Sequence, residues 1–373
     1  MKVSIMTLSL SLNYGAQLQS YALAKTIANF GIEVEVYQYY DKHRITYGMT
    51  FTQKIKYYLW NCIRHIIGSC KKEACFKKFR EQYVPMTKML YKSNQELKNN
   101  PGDYDVFIAG SDQIWNPDIF KYDLSYFLDF VPPYKKKISY ASSFAKKTFV
   151  SKFKKQCISL LNEFEYISVR EQSGIEIVKE LCSKQAKIVL DPTLLLDIND
   201  WRLITEKSSK KSCDFSGILC YVMPGDKKVT DTIEKIAQKI RKETGLSIMR
   251  LGIKEFEKLK HPWRECDTTA SPSDFVSYFI GAKYVITNSF HGTAFAINFE
   301  KNLIVPYNTE LSSKDAIHER IISLLHLVEA TNVLWPVSEK YTCYKKYNMQ
   351  RSSELLKSHR VQSLSYLRTA LEV

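Results

Sequence analysis

Short runs of β-branched and aromatic residues alternate with longer stretches of helical periodicity along almost the whole chain. In the first half the runs that read as strands are Lys2–Ser9, Ile32–Tyr39, Tyr104–Ala109, Lys137–Ser142, Tyr166–Val169 and Ala186–Leu190. In the second half they are Gly217–Val222, Ser247–Leu251, a short one at Glu265–Thr268, Tyr284–Thr287 and Leu303–Pro306. Several are continuously apolar rather than alternating, as a strand is when helices cover both faces of its sheet. Strand–helix repetition of this kind builds right-handed βαβ units and doubly wound parallel sheets. The first unit is explicit. Asn13 caps a helix whose Ala16, Ser20, Leu23, Ile27 and Phe30 share one face, and Gly31 supplies its left-handed stop.

A chain of 373 residues is too long for one ordinary domain. The pattern predicts an α/β fold of two Rossmann-like, doubly wound parallel-sheet domains facing a cleft. Periodicity is lost in a polar, basic stretch at 203–215, which reads as the linker between an N-terminal domain at 1–202 and a C-terminal one at 216–345. Residues 346–373 read as a helix that packs back toward the N-terminal domain, with Leu355, Leu356, Val361, Leu364, Leu367 and Leu371 as its apolar set. No internal repeat is visible. A hydrophobic content of 45% with 11 prolines excludes a disordered chain. No apolar run reaches the roughly 18 residues of a transmembrane helix, and Met1–Leu12 runs into Asn13-Tyr14-Gly15 without a cleavage site. The chain therefore reads as soluble and cytoplasmic.

The net charge of +15 changes the picture, because it attracts anions. Between Phe51 and Arg80 stand eight lysines or arginines and one acid, Glu73, interleaved with aromatic and aliphatic residues. That basic insert at 51–80 fits an amphipathic helix in peripheral contact with a membrane; the plainer reading is a solvated helix pair packed on the body of the domain. No helix-turn-helix, RNA-binding signature or zinc finger accompanies the charge, so nucleic acid is not an expected partner. Nine cysteines without a signal peptide point to reduced thiols rather than a disulfide framework. Cys62, His65, Cys70 and Cys75 are the only set with a suggestive spacing for zinc. The order matches no zinc module, and no metal is expected.

In open parallel sheets ligands bind beyond the carboxyl ends of the strands, and four such places carry candidate chemistry. After Tyr284–Thr287, Ser289 can cap a helix and Gly292 permits close backbone approach, which makes an anion site with His291 in its first turn. Histidine is suited to proton transfer near neutral pH. After Tyr166–Val169, Ser168 and Glu171 fit a capping box that sets Arg170 at the sheet edge. Its guanidinium can grip a carboxylate or phosphate, or form an ordinary ion pair. After Tyr104–Ala109, Gly110 allows a sharp exit into Ser111, Asp112, Gln113, Trp115 and Asn116, a set suited to a sugar. Asp112 can take a proton from a hydroxyl, although an aspartate in a loop is also ordinary turn chemistry. The fourth place is the Asn13–Gln17 stretch after the first strand. G-x-G-x-x-G, Walker A, H-E-x-x-H and G-x-S-x-G are absent, and Asp191-Pro-Thr reads as a structural turn.

The stretches NYGAQLQSYAL (13–23), FIAGSDQIWNP (107–117), ISYASSF (138–144), SVREQSG (168–174), LDPTLLL (190–196) and ITNSFHGTAFAI (286–297) together resemble the polysaccharide pyruvyl transferase family, in the family's order. The resemblance implies a glycosyltransferase-B-like architecture. It also implies transfer of the pyruvyl group of phosphoenolpyruvate, a co-substrate, to a sugar diol of a surface or capsular polysaccharide or its lipid-linked precursor, as a ketal with release of phosphate. No further cofactor is implied. Donor binding falls to Arg170, Ser289, Phe290, Gly292 and Thr293, catalysis to His291 and Asp112. Acceptor binding falls to Asn13, Tyr14, Gln17, Ser111, Gln113, Trp115 and Asn116. Some members carry arginine where this chain has Ser289, so one cationic donor contact is expected to be missing from the turn. The alternatives are a nucleotide-sugar-dependent glycosyltransferase on the same scaffold and a non-catalytic polysaccharide-assembly protein.

Overall fold

In the computed structural model all residues are described except 42–48, 57–58, 60–68, 207, 209–214, 252–264 and 309–315, together with the side chains of 69–70 and 316–318. The chain forms two compact units, Met1–Leu195 with Gln362–Val373, and Leu196–Val361.

The continuous apolar runs are the innermost strands of each unit. In unit 1 the order is β1 (Lys2–Met6), α1 (Tyr14–Ala28), β2 (Glu33–Tyr39), α2 (Ser69–Tyr83), β3 (Met86–Tyr91), α3 (Asn94–Asn99), β4 (Val106–Ala109), α4 (Pro117–Phe120), β5 (Lys136–Ser139), α5 (Lys154–Asn162), β6 (Ile167–Val169), α6 (Gln172–Leu181) and β7 (Ala186–Ile188). The strands are parallel, in the order β3-β2-β1-β4-β5. The parallel pair β6-β7 extends the series through the bridges Ile138↔Tyr166 and Ser142↔Val169. β4 is buried at every position, as its apolar sequence requires.

Unit 2 repeats the plan with α7 (Ile198–Thr205), β8 (Ile218–Tyr221), α8 (Lys227–Thr244), β9 (Ile248–Leu251), β10 (Glu265–Asp267), α9 (Pro272–Gly281), β11 (Tyr284–Thr287), α10 (Phe290–Asn298), β12 (Asn302–Tyr307), α11 (Ala316–Leu327) and β13 (Leu334–Pro336). Its sheet is parallel with the order β10-β9-β8-β11-β12-β13. Both sheets thus reverse direction once, between β1 and β4 and between β8 and β11, and these are the doubly wound switch points. A last helix, α12 (Met349–Leu371), starts in unit 2 and ends in unit 1. Within unit 1, the Leu190 amide donates to Ser363 Oγ at 3.0 Å and Tyr366 donates to the Ser139 carbonyl at 3.1 Å.

Every strand read from the sequence is present, most with trimmed ends, β11 unchanged and β12 one residue longer at each end, and β3 and β13 are additional. Both lie at sheet edges, and β3 exposes three successive residues, Lys88, Met89 and Leu90, so it lacks the apolar signature of the others. The units divide between Leu195 and Leu196. The stretch read as a linker begins inside α7, which Asp197 and Asp200 start with a capping box.

α2 buries Phe76 and Phe79 against α1, with ring centroids 5.0 Å from Tyr14 and 6.1 Å from Tyr21 respectively. This half of the basic insert is packed. Of the suggested metal set, Cys62, His65 and the Cys70 side chain lie outside the described residues. Among the described residues no group of metal-ligating side chains clusters and no helix is long and apolar enough to cross a membrane.

Candidate active site

Each switch point is closed by a side chain of one loop gripping the backbone of the other. In unit 1, Thr7 Oγ1, just past β1, donates to the Ser111 carbonyl, just past β4, at 2.9 Å. In unit 2, Asn288, just past β11, accepts from the Met223 amide at 2.7 Å and donates to the Met223 carbonyl at 3.1 Å. Such ties fix the carboxyl edge of each sheet, where the candidate residues stand.

In unit 2 the Ser289–Thr293 turn forms as its sequence requires. Ser289 is the N-cap of α10 and its Oγ accepts from the Gly292 amide at 3.4 Å. Thr287 Oγ1 accepts from the Ser289 amide at 3.0 Å and donates to the Tyr221 carbonyl at 2.6 Å. A Cβ on Gly292 would lie 2.4 Å from that same oxygen, so only glycine fits. Thr293 Oγ1 closes the turn on the Ser289 carbonyl at 3.0 Å. His291 and Phe290 are buried in the first helical turn with ring centroids 5.3 Å apart. The first-turn amides and the helix dipole favour an anion here. Sequence reasoning missed one nearby residue. Arg320 of α11, only 4% exposed, holds its guanidinium 5.8 Å from the centre of the Phe290 ring. It puts a cation beside a turn whose own sequence has none. A shallow hollow nearby is lined mainly by Val305, Pro306, Ile321 and Leu334, with Asn288 as a polar group. That lining is apolar and suits no anion.

In unit 1 the residues after β4, β6 and β7 converge on one buried ion cluster. Arg170 Nη1 lies 2.6 Å from Asp191, Nη2 3.8 Å from Asp112 and Nε 3.9 Å from Glu171. Burial works against the guanidinium charge, but Asp191, Asp112 and Glu171 outweigh it and raise the pKa. Three formal carboxylates surround one cation, an environment opposite in sign to what a doubly charged anion needs. Arg170 is thus committed to its own unit. Asp191 is more than a turn former: it caps the 3₁₀ turn Pro192–Leu194, accepts from Thr193 and lies 3.1 Å from Ser111 Oγ.

The predicted capping box does not form. Ser168 is still inside β6, where its hydroxyl donates to the Ser139 carbonyl at 2.9 Å. Glu171 instead turns its Oε1 to Ser143 Oγ and the amides of Phe144 and Ala145, at 2.7, 3.1 and 3.3 Å. Three donors in one turn, beside Arg170, outcompete the single amide a capping box would offer.

Backbone strain gathers at the same edge. Asp112, Ala141 and Ala145 have φ of 78°, 52° and 50°. A non-glycine residue in such backbone costs on the order of 1–3 kcal/mol, and strain of this kind collects at functional sites. The Asp112 side chain is 10% exposed, the most accessible carboxylate of the cluster.

The other acceptor candidates divide. Trp115 is fully buried, stacked on Phe127 at 5.6 Å, with Nε1 donating to the Tyr126 carbonyl at 3.0 Å. It is core, and presents no face to a sugar. Ser111 and Gln17 are buried too, and Gln17 donates to the Ser9 and Ser11 carbonyls at 2.5 and 2.7 Å, which shapes the loop after β1. Tyr14 is buried against Phe76, with the Lys72 ammonium 4.8 Å from its ring centre. Asn13 caps α1 and Asn116 caps α4. Gln113 is half-buried beside Asp112, accepting from Asn116 Nδ2 at 3.0 Å.

The model of the polysaccharide pyruvyl transferase family matches residues 13–308. No curated protein matches the chain. Among solved structures, a putative UDP-N-acetylglucosamine 2-epimerase from Listeria monocytogenes superposes with a TM-score of 0.53 at 10% identity, covering 98% of this chain and 90% of that one. The UDP-GlcNAc 2-epimerase of Methanocaldococcus jannaschii gives 0.49 at 10% identity over 96% and 99% of the two chains. An E. coli heptosyltransferase with ADP-2-deoxy-2-fluoro heptose gives 0.42 at 13% identity over 83% and 89%. The likeness is one of fold: two Rossmann-like units, each a doubly wound parallel sheet, of the glycosyltransferase-B-like class.

Proposed function

The chain belongs to the polysaccharide pyruvyl transferase family, and from that premise we propose that it moves the pyruvyl group of phosphoenolpyruvate onto a sugar diol as a ketal, with release of phosphate. The observation that carries this reading is the Ser289–Thr293 turn, where a helix N-terminus, a glycine-only approach, His291 and the Arg320 cation come together in unit 2. Phosphoenolpyruvate bears a carboxylate and a phosphate. Helix amides and one guanidinium are groups that bind such anions.

The chemistry then follows from the donor. Its methylene carbon gains a proton, for which His291 is the acid, and C2 becomes electrophilic. A sugar hydroxyl attacks C2 and yields its proton to Asp112. The phosphate bonded to C2 leaves and takes up the proton of the diol's second hydroxyl, whose oxygen closes the ketal at the same carbon. One donor and one diol give one ketal and one phosphate, so the step balances without an oxidant or reductant. We assign the donor-side cation to Arg320 because Arg170 is surrounded by carboxylates. Arg170 in this reading holds the Asp112 turn in place. The cytoplasm is the compartment in which this reading places the reaction.

Replacing His291 tests it. His291→Ala is expected to abolish phosphate release from phosphoenolpyruvate plus acceptor while the melting temperature stays close to that of the parent. Turnover near the parent's would remove His291 from the mechanism.

A further inference from the structure

The basic insert contains a second amphipathic element that the packed half does not explain. Thr50 and Gln53 form a capping box: Gln53 Oε1 accepts from the Thr50 amide at 2.8 Å, and Thr50 Oγ1 from the Gln53 amide at 3.3 Å. Residues 51–56 and 59 are helical. Phe51, Ile55 and Leu59 recur at every fourth position, on one face, and are 78%, 43% and 59% exposed. Lys54 and Lys56, also exposed, fall on either side of that stripe. Three large apolar side chains in a row on an exposed face are costly in water. In α2, by contrast, the apolar side chains Phe76 and Phe79 are buried.

We propose that the face formed by Phe51, Ile55 and Leu59 is a membrane-docking element that lies in the headgroup layer of an anionic bilayer. The charge on the page selects that occupant. The stretch from Phe51 to Arg80 carries eight basic residues against one acid, in a chain of net charge +15. Apolar side chains enter the acyl boundary while flanking lysines extend their stems along it and keep their ammonium groups among lipid phosphates. An apolar face alone gives only marginal binding, and a basic patch beside it supplies the second signal that stable anchoring takes. An acidic protein would meet the lysines but leave Phe51 without an apolar surround, and a second copy of this chain would bring like charge to like charge. Docking at a bilayer would also bring the enzyme to acceptors carried on lipid, but the docking stands whether or not the pyruvyl reading does.

The test uses the full chain and vesicles of phosphatidylcholine alone or mixed with phosphatidylglycerol. The protein is expected to co-sediment with the mixed vesicles, less so as salt rises, and not with phosphatidylcholine alone. Phe51→Ser/Ile55→Ser/Leu59→Ser is expected to weaken that partition about tenfold or more, and Lys54→Glu/Lys56→Glu to weaken it as well. Both variants change exposed positions, and a circular dichroism melt matching the parent's confirms the fold. Partition unchanged in the triple variant, or absent in the parent, overturns the proposal. So does self-association in the parent that the triple variant abolishes without any vesicle binding. Phosphate release with a water-soluble acceptor separates the two readings, since it is expected to be the same in the triple variant as in the parent.

Discussion

Asp112 and Asp191 touch the same guanidinium and should still behave differently when altered. Asp112 pays for its position in backbone strain at φ 78° and keeps its side chain 10% exposed, whereas the Asp191 side chain is fully buried 2.6 Å from Arg170. Asparagine tolerates left-handed backbone as aspartate does. Asp112→Asn is therefore expected to unfold at nearly the parent's denaturant midpoint while turnover falls about 10²- to 10⁴-fold. Asp191→Asn removes the closest counter-charge of a buried cation and is expected to cost about 3 kcal/mol in equilibrium unfolding. If the two variants lost stability equally, Asp112 would be another structural partner of Arg170 and nothing more. Arg320 invites a separate measurement. Arg320→Gln is expected to raise KM for phosphoenolpyruvate by about tenfold or more, through loss of a charged hydrogen-bonding group, with KM for the acceptor little changed. At this scale the sequence was only partly legible. Asp112 announces itself because a polar Gly-Ser-Asp follows an apolar run. Arg320 carries no local signal, since it reaches the turn only because α11 packs on α10. Trp115 misleads for the converse reason: Asp112, Gln113 and Asn116 around it are polar, while the rings that bury it, Phe127, Phe144 and Phe164, come from further along the chain.

At the scale of elements, the β11–α10 junction is the most exacting piece of the fold. Gly292→Ala sets a methyl group against Thr287 Oγ1, which is itself held by two hydrogen bonds and cannot retreat. A loss of about 1–3 kcal/mol is expected in denaturant unfolding, together with weakened donor binding as the first turn shifts. Full stability would mean that the turn is looser than its contacts require. The start of α8 offers a pH test. Burial raises the pKa of the Asp226 carboxyl, but hydrogen bonds from Asn308 and the amides of Lys228 and Val229 outweigh this and hold it below the ordinary carboxylate range. A depressed native pKa contributes stability that is present above the unfolded value and is lost as pH falls through the native one. The group is largely solvated, so the effect is small. Amide exchange at the α8 start should show it, declining in protection on acidification in the parent and staying flatter in Asp226→Asn. The strands were legible because burial on both faces writes a continuous apolar run. Edge strands such as β3 carry no such run, and the Ser168–Glu171 capping box failed because tertiary donors, invisible to local spacing, captured the carboxylate.

For the whole molecule, two sheets with the same switched strand order carry their polar residues at the carboxyl edges, in a chain whose family acts on polysaccharide. The contacts divide the chain at Leu195, ahead of the loss of periodicity at 203–215, and the helix that Asp197 and Asp200 cap begins directly after that division. The reach of α12 from one unit into the other follows from its apolar positions. In the basic insert Phe76 and Phe79 are buried while Phe51, Ile55 and Leu59 are exposed, a division that the plainer reading of the sequence, a packed helix pair, does not make. The central claim is the transfer itself, and it is tested most directly by incubating the intact protein with phosphoenolpyruvate and a panel of free and lipid-linked saccharides, then weighing the saccharides by mass spectrometry and assaying phosphate. The expected product is an acceptor heavier by one pyruvyl ketal, with one phosphate released for each. Saccharides left unchanged by phosphoenolpyruvate but extended by a sugar from a nucleotide-sugar would contradict it.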